Sequence, residues 1–396
     1  MIEAMLVAVF WIAAGLAAYP WIVYPVVLGA LAARGRGRAP SSASWPFLSV
    51  IVAAHNEAAC IRAKLQSALG PGYAHDRIEV IVVSDGSTDE TDRLVATYPD
   101  SRVMLIRQEP RAGKSPALNR AVACARGDVL VFTDANALFA EDALRRLAAP
   151  FADPRVGLVS GQGLYAAPGA RDAQAVGNGY VRFEAFLRSH ETALDVLGGA
   201  DGAIYALRRR IYRDLGPVEV NDLAHAIQAV LQGYVPRFDG DACTIEPPSA
   251  HAGQEFRRHV RIVAQNAQLI ADWLPRVVAA RRWRLAWVLV SHRILRWTTA
   301  PMLGLALAAN VALLGTRPIY TLALAAQAGF YALALAGLAA ERAGLTLGRA
   351  ALPYYFCVVS AAGVGGLARY ARGGAQAVWT PAGKAEGAPR VSERAA

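Results

Sequence analysis

The chain has 396 residues, of which 55% are hydrophobic and 18% are charged, and its formal net charge at pH 7 is +10. This composition excludes a disordered chain, a collagen-like fibre and a small disulfide-rich scaffold. The apolar residues are concentrated at the two ends of the sequence. We therefore expect membrane segments on either side of a soluble middle region.

Four stretches contain no charged residue: residues 4–33, 297–316, 318–340 and 350–368. A helix of about 20 residues crosses the apolar core of a bilayer, so all four are candidate transmembrane segments. The first is too long for a signal peptide, which predicts a retained N-terminal transmembrane anchor over residues 1–33. The arginines that follow it place the next domain in the cytoplasm by the positive-inside pattern. These arginines are Arg34, Arg36 and Arg38.

The positive charge lies in the C-terminal part of the chain. Residues 251–396 hold 17 Lys and Arg against 5 Asp and Glu, which leaves the first 250 residues close to neutral. Much of the arginine flanks apolar stretches instead of forming a basic face on a folded domain, so we expect no nucleic-acid partner. The cysteines form no CxxC pair, which is typical of thiols in a reducing compartment. They are Cys60, Cys124, Cys243 and Cys357.

Residues 34–46 are rich in Arg, Gly, Pro and Ser and predict a linker. Beyond this linker, short β-branched runs alternate with helical patterns. The predicted strands are residues 47–53, 78–83, 103–106 and 129–132, and the predicted helices are residues 57–69, 89–97, 115–125 and 141–149. Because strands that alternate with helices form parallel sheets with right-handed crossovers, we expect an α/β, Rossmann-like layer architecture.

Polar side chains follow three of the predicted strands, at the edge where α/β sheets bind ligands. Glu57 follows the first strand, Asp85 the second, and Asp134 and Asn136 the fourth. Turn and capping preferences explain any one of these loops alone, but their coincidence at one edge favours a binding site. No GxGxxG follows the first strand and no GxxxxGK[ST] occurs, which argues against an NAD-dependent dehydrogenase and a P-loop NTPase.

Seven motifs follow one another between residues 47 and 262: VIVAAHNE, VVSDGSTDET, GKSPALN, VFTDAN, GGADGAIYALRR, VNDLAHAIQAVLQGY and EFRRHVR. Together they resemble the family 2 glycosyltransferases of the GT-A fold. The flanking apolar stretches are similar to those of the membrane-anchored members, which include cellulose, chitin and hyaluronan synthases. The resemblance implies a cytoplasmic GT-A nucleotide-diphospho-sugar transferase domain over residues 47–275, flanked by transmembrane helices.

The resemblance implies nucleotide-sugar binding by Ala54, Glu57, Asp85, Lys114, Asp134 and Arg258. The first three would line the nucleoside pocket, with Asp85 accepting a hydrogen bond from the base, and Lys114 would lie near the donor. Asp134 and Asn136 occupy the position of the Asp-x-Asp motif that binds Mg²⁺ or Mn²⁺. Because Asn136 offers a neutral oxygen instead of a carboxylate, we expect a weaker metal affinity. The alternative is that Asn136 only caps the following helix.

The general base of the resemblance falls on Asp222, which lies eleven residues before Gly233 and Tyr234. Asn221 stands where the family usually has a second acidic residue. The alternative interpretation is that Asp222 caps a helix and interacts favourably with its dipole.

Residues 198–202 resemble the loop that shapes the acceptor side of the site. Glycines there let the backbone approach a sugar ring, and Asp201 would bind its hydroxyls, although a plain turn explains the glycines nearly as well. Glu184 and Glu191 lie on a predicted helix that borders the same cleft, and the sequence assigns them no role.

Arg257, Arg258 and Arg261 are spaced so that they share one side of a helix. Arg258 takes the Arg position of the Gln-x-x-Arg-Trp motif of processive synthases, and a guanidinium there suits a donor diphosphate. For Arg257 and Arg261, contact with anionic lipid headgroups is the alternative. His259 takes the place of the Trp, which argues against the synthesis of a long polymer.

The remaining sequence predicts an amphipathic interface helix over residues 276–297, three hydrophobic membrane segments within residues 298–369, and a polar tail over residues 370–396. Three full spans would leave the tail outside the cell. The basic residues of the tail favour the inside, so one of the three segments would be re-entrant or interfacial.

These features predict an inverting, metal-assisted glycosyltransferase of the inner or plasma membrane, with Asp222 as its general base. The donor would be a UDP-sugar, by resemblance only, and the acceptor a lipid-linked or growing polysaccharide. The expected partners are these two substrates and membrane lipids, together with export or assembly proteins. The alternatives are a processive polysaccharide synthase and a catalytically silent scaffold of a polysaccharide-export complex. A transporter is disfavoured because the apolar segments hold almost no ionisable residue.

Overall fold

The computed structural model describes residues 1–33, 45–70, 72–165, 171–246, 252–345 and 352–373. Most of the predicted linker, including Arg34, Arg36 and Arg38, lies outside the described residues. So does most of the predicted polar tail.

Within the described residues, the middle of the chain forms one eight-stranded sheet. Its strands are β1 (Leu48–Ala54), β2 (Ile78–Asp85), β3 (Val103–Gln108), β4 (Val129–Asp134), β5 (Leu138–Phe139), β6 (Val156–Tyr165), β7 (Ile204–Arg208) and β8 (Val235–Glu246). Their spatial order is β3-β2-β1-β4-β7-β6-β8-β5. Strands β1 to β4 are parallel, as the sequence predicts, and β7 is antiparallel to both β4 and β6. The α/β fold class is therefore confirmed.

The sheet is buried because helices cover both of its faces. Every residue of β1 is buried, which explains why its sequence is a continuous apolar run instead of an alternating one. One face carries α3 (Ile61–Ala68) and α6 (Ala143–Ala148), and the other carries α5 (Lys114–Cys124) and α8 (Asn221–Leu231). The remaining helices of this region are α4 (Thr91–Ala96), α7 (Arg171–Ala193) and α9 (Ala252–Ala279).

The terminal helices pack against one another. At the N-terminus, α1 (Ile2–Ala18) and α2 (Tyr24–Ala32) are joined by a π-helical turn. At the C-terminal end lie α10 (Trp283–Val288), a π-helical turn (Leu289–Ile294), α11 (Leu295–Trp297), α12 (Thr299–Ala312), α13 (Pro318–Arg342) and α14 (Leu352–Ala371). Phe10 and Ala13 of α1 pack against Ala306 and Ala309 of α12.

Among the described residues, two helical segments are long and apolar enough to cross a membrane, namely Ile2–Ala32 and Pro318–Arg342. Helix α12 has 14 residues, so it is about 21 Å long. A bilayer core is about 30 Å thick, so α12 alone is too short to span it. Helix α14 packs along α9, with Gly366 against Val263. Of the three predicted C-terminal membrane segments, α13 is the one that meets the criterion of length and composition within the described residues.

The structure also changes the bounds of the predicted interface helix. Residues 276–279 end α9, Arg281 has a positive φ of 56°, and a new helix begins at Trp283. The change of direction has a packing cause, since Val288 and Leu289 are buried in the same apolar cluster as Leu223 of α8. The second half of the segment therefore packs on the α/β domain, on the side that holds the loop of residues 198–202.

Candidate active site

The carboxyl ends of β1, β2 and β4 lie side by side, as the sequence predicts. Ala53 of β1 is in register with Asp134 of β4, and Ala54 is in register with Ser84 of β2. Ala54 is buried, so it forms part of the floor under this edge. The residues predicted to bind a nucleotide sugar therefore meet at one edge of the sheet.

Asn56 joins the first two loops of this edge. It has a φ of 58°, and its amide oxygen accepts hydrogen bonds from the backbone N–H groups of Thr88 (2.8 Å) and Asp89 (3.2 Å). The neighbouring Glu57 donates its backbone N–H to Thr91 Oγ1 at 2.8 Å. Glu57 is thereby fixed at the start of the turn that leads into α3.

Asp85 holds the loop that precedes Lys114. The carboxylate is fully buried, and its Oδ1 accepts hydrogen bonds from Gln108 Nε2 (2.7 Å) and from the N–H of Ala112 (2.8 Å). Its Oδ2 accepts a third from the N–H of Gly113 at 3.0 Å. Asp85 thus orders the approach to Lys114, and its contact with a nucleoside base stays a prediction.

Lys114 and Asp134 are directly paired. Lys114 begins α5, Asp134 ends β4, and Lys114 Nζ donates a hydrogen bond to Asp134 Oδ1 at 2.6 Å. Burial alone would raise the pKa of Asp134. The positive charges of Lys114, Arg258 and Lys64 outweigh this effect, so the pKa is lowered and the carboxylate is ionised at neutral pH.

Asn136 lies on the same side of the chain as Asp134. Both are partly exposed, whereas Ala135 and Ala137 are buried, so the two polar side chains face the cleft. The next helix begins only at Ala143, which excludes the alternative that Asn136 caps it. Within the part of the chain that the structure describes, no cluster of three His, Cys, Asp or Glu could hold a metal ion. The Asp134–Asn136 pair supplies two hard oxygen donors, which suits Mg²⁺ or Mn²⁺ if the substrate provides further ligands.

Two buried charged residues beneath this edge were not expected from the sequence. Lys64 Nζ donates to Thr133 Oγ1 at 2.6 Å and lies 3.8 Å from the centre of the Phe139 ring, and burial lowers its pKa to about 7. Burial, with a contribution from Asp134, raises the pKa of Glu246 to about 7. The position of Glu246 at the end of β8 is the same signal that marked Asp85 and Asp134, but the strand that the resemblance implies after Gly233 and Tyr234 was given no end.

Asp222 is the one residue within 221–230 that is not buried. It lies in the first turn of α8, and its Oδ1 accepts the N–H of Leu223 at 2.8 Å. Although Asp222 is partly exposed, the loss of surrounding water raises the pKa of its carboxyl, and the charges of Arg293 and Lys114 oppose the rise. Lys114 therefore lies near both Asp134 and Asp222, and it connects the predicted donor side with the predicted base.

The predicted acceptor-side residue Asp201 is held by neighbouring groups. Its Oδ2 accepts hydrogen bonds from Arg188 Nη1 (2.9 Å) and from the N–H of Gly163 (3.2 Å). Its negative charge contributes to the raised pKa of Asp222. Asp201 thus lies beside the predicted base, and its contact with an acceptor stays a prediction.

Arg258 of α9 faces the site. Its charge lowers the pKa of Asp134 and opposes the rise in the pKa of Glu246. Arg257 is exposed on the same helix, and it is not among the main influences on either carboxylate. Contact between Arg258 and a donor diphosphate stays a prediction.

Three comparisons with known proteins agree with this architecture. Residues 49–216 match the family model Glycosyl transferase family 2. A beta-monoglucosyldiacylglycerol synthase from Synechocystis sp. is 38% identical over 121 residues, which are 30% of this chain and 25% of that protein. The glycosyltransferase AglE of Haloferax volcanii is 25% identical over 63% of this chain and 82% of its own length.

Among solved structures, the mannosyltransferase PcManGT from Pyrobaculum calidifontis, in complex with GDP-Man and Mn²⁺, matches with a TM-score of 0.67. The match covers 94% of this chain and 99% of that one at 24% sequence identity, which establishes likeness of fold. The matches to the first three curated relatives span 23–26% of the length of those proteins.

The sheet topology and the likeness to this solved structure define an α/β fold of the GT-A type. The matching family model covers less than half of the chain: residues 49–216 are similar to the family 2 glycosyltransferases.

Proposed function

We propose that the protein is an inverting glycosyltransferase that moves a sugar from a nucleotide-sugar donor, a UDP-sugar by resemblance, to an acceptor hydroxyl at the membrane. Asp222 acts as the general base. Lys114, Asp134 and Arg258 bind the donor diphosphate region, and Ala54, Glu57 and Asp85 form the nucleoside side.

The observation that carries this proposal is the position of Lys114 between two carboxylates. Lys114 donates a 2.6 Å hydrogen bond to Asp134, and its charge also opposes the rise in the pKa of Asp222. A donor bound along Asp134 and Lys114 would therefore have its sugar near Asp222. Catalysis by displacement needs this adjacency of leaving group and base.

The chemistry follows from these positions. The oxygen of the acceptor hydroxyl attacks the anomeric carbon, the bond from that carbon to the diphosphate breaks, and the hydroxyl proton passes to the Asp222 carboxylate. Attack opposite to the leaving group inverts the anomeric configuration. Lys114 and Arg258 stabilise the negative charge on the departing nucleoside diphosphate.

Asp134 and Asn136 would hold Mg²⁺ or Mn²⁺, which would supply further positive charge to the diphosphate. Their two oxygen donors are compatible with either ion. Phosphate oxygens of the donor would complete the ligand set, so the affinity for metal would depend on bound substrate.

We further propose that the acceptor is lipid-linked or part of a growing glycan, reached from the cytoplasmic face of the membrane. The two apolar helices long enough to span a bilayer support this location. The relatives include a beta-monoglucosyldiacylglycerol synthase and a dolichyl-phosphate beta-glucosyltransferase, and both names point to lipid substrates.

The test uses membranes that contain the full-length protein. These are incubated with radiolabelled UDP- and GDP-sugars in the presence of Mg²⁺ or Mn²⁺, with membranes that carry Asp222→Asn as the matched control. We expect one donor to label lipid or glycan in the wild type alone, with the anomeric configuration inverted. Label in a long polymer would identify a processive synthase. Absence of transfer with every donor would overturn the proposal in favour of a silent scaffold.

A further inference from the structure

A buried polar cluster lies outside the proposed donor site, between α7 and the π-helical turn Leu289–Ile294. His292 is buried at its centre, with Nδ1 2.6 Å from Glu191 Oε1 and Nε2 3.1 Å from Glu184 Oε2. The pKa of each glutamate is lowered because nearby positive groups outweigh the effect of burial. Each ring nitrogen of His292 therefore lies within hydrogen-bonding distance of a different glutamate.

Glu191 of this cluster and the neighbouring Arg293 hold both backbone polar groups of one residue, Gly198, in the acceptor-side loop. The N–H of Gly198 donates to Glu191 Oε2 at 2.9 Å, and the carbonyl of Gly198 accepts from Arg293 Nε at 2.8 Å. The packing is tight, because a Cβ atom at Gly198 would lie 2.9 Å from Val288 Cγ1. The loop is therefore fixed by groups that lie outside it.

The held loop leads directly to Asp222. The N–H of Ala200 donates to the carbonyl of Asp222 at 3.3 Å. Two residues further on, a Cβ atom at Gly202 would lie 3.3 Å from Asp222 Oδ2, so the loop backbone passes against the carboxylate. A shift of Gly198 would be transmitted through three or four residues to the proposed base.

We propose that Glu191, His292 and Arg293, which we name the Gly198 clamp, are positioning residues that fix the acceptor-side loop and the Asp222 carboxylate. This inference rests on the proposed function, because it assigns the clamp a role in acceptor transfer. The clamp acts through the loop, so it governs turnover and the use of acceptor more than the binding of donor.

The clamp is also connected to the N-terminal membrane helix. Tyr24 of α2 donates its hydroxyl to Glu191 Oε1 at 2.7 Å, and Tyr24 and Leu28 pack with Leu187 of α7. The Glu191 carboxylate therefore contacts Tyr24 of the N-terminal helix, His292 and the backbone N–H of Gly198. The geometry of the acceptor side thus depends on the attachment of the anchor helix to the catalytic domain.

The charge of Arg293 gives the proposal a distinctive signature. Among the described groups that most affect the pKa of Asp222, the charges of Arg293 and Lys114 oppose its rise and the charge of Asp201 adds to it. Removing the positive charge of Arg293 raises this pKa. The carboxylate then takes up its proton at higher pH, so the acidic limb of the rate profile moves upward.

The experiment compares Arg293→Gln and Arg293→Lys with wild type in membranes that contain the full-length protein. Turnover, KM for donor, KM for acceptor and the pH–rate profile are measured. Arg284→Gln is the matched control, since Arg284 is an exposed arginine of the neighbouring helix α10. Arg284→Gln should retain wild-type turnover and pH profile.

We expect Arg293→Gln to lower turnover about 10- to 100-fold, with donor KM changed less than about twofold and the acidic limb at higher pH. Arg293→Lys keeps the charge but loses the Nε donor, so turnover falls while the limb stays in place. Wild-type turnover in both variants, or an equal loss of donor affinity and turnover, would overturn the proposal. If Arg293→Gln does not fold, Arg293→Lys alone decides, by its turnover.

The two proposals fail in different ways. Absence of transfer by the wild type, or full activity of Asp222→Asn, would overturn the proposed function. An active wild type and an inactive Asp222→Asn, together with clamp variants that behave as wild type, would overturn the clamp alone.

Discussion

Lys114 Nζ lies 2.6 Å from Asp134 Oδ1, which joins the first residue of α5 to the last residue of β4. The contact is possible because β4 is parallel to β1, so Asp134 lies at the carboxyl edge of the sheet. Asp85 holds the loop that precedes Lys114 at the same edge. A cation is thus fixed at the carboxyl edge of the sheet before any donor binds. This preorganisation suits the neutralisation of a diphosphate leaving group.

Replacement of Lys114 by Gln tests this pairing. We expect the kcat/KM for donor to fall roughly tenfold or more, equivalent to about 1.4 kcal/mol of transition-state stabilisation. Lys114 lowers the pKa of Asp134, so its loss raises that pKa and protonation begins at a higher pH. Activity at a fixed Mn²⁺ concentration should therefore decline earlier as the pH is lowered.

The control for this prediction is Lys114→Arg, which retains a positive charge and should keep the wild-type shape of the pH profile. An unchanged kcat/KM for donor in Lys114→Gln would remove Lys114 from the donor site.

Asp222→Asn tests the proposed base. The amide cannot take up the acceptor proton, so we expect the transfer rate to fall about 10²- to 10⁴-fold. Binding of nucleoside diphosphate, measured by its protection against thermal unfolding, should stay close to that of wild type. Because burial raises the pKa of Asp222, the wild-type rate should fall with acidification at a higher pH than for an ordinary aspartate. Retention of more than about a tenth of the activity would contradict the assignment.

Asn136→Asp tests the metal site. A second carboxylate beside Asp134 adds one negative charge to a set of hard oxygen donors, so the metal should bind more tightly. We expect the Mn²⁺ concentration for half-maximal activity to fall about threefold to tenfold, measured at saturating donor. Asn136→Ala removes the oxygen donor at this position and should raise the Mn²⁺ concentration for half-maximal activity. Equal activation constants in all three proteins would show that Asn136 is not a ligand.

Much of the donor side could be predicted from the sequence because it depends on local patterns. Apolar runs placed β1, β2, β3 and β4, and the polar residues after three of them were expected to meet. The structure brings Asp85, Lys114 and Asp134 to one edge for this reason. The later strands were missed because β6 and β8 contain polar residues and bulges, and their pairing joins distant parts of the chain.

The acceptor side was less predictable because it is built by contacts between distant segments. His292 meets glutamates 101 and 108 residues earlier in the chain, and a polar residue within an apolar run carries no signal of its partner. The sequence therefore indicated an interface helix for a segment of which part packs on the catalytic domain. Glu184 and Glu191 were noticed on their helix, but their common partner was visible only in three dimensions.

The asparagine that precedes the proposed base has a structural role in this chain. Asn221 is buried, and its Nδ2 donates to Tyr205 Oη at 2.7 Å. The Tyr205 hydroxyl also lies 2.9 Å from His225 Nδ1, and burial lowers the pKa of His225 to about 3, which keeps the ring neutral. A carboxylate at position 221 could not donate to Tyr205 while ionised. It would also place a second negative charge beside Asp222.

We therefore expect Asn221→Asp to destabilise the protein by about 1–3 kcal/mol, the cost of a buried polar group that loses its partner. The measurement is the thermal unfolding midpoint of the purified full-length protein, compared with Tyr205→Phe and with the double variant. Because Asn221 and Tyr205 share one hydrogen bond, the two changes should be less than additive. An Asn221→Asp protein as stable as wild type, with strictly additive effects, would show that the hydrogen-bonded chain does not explain this asparagine.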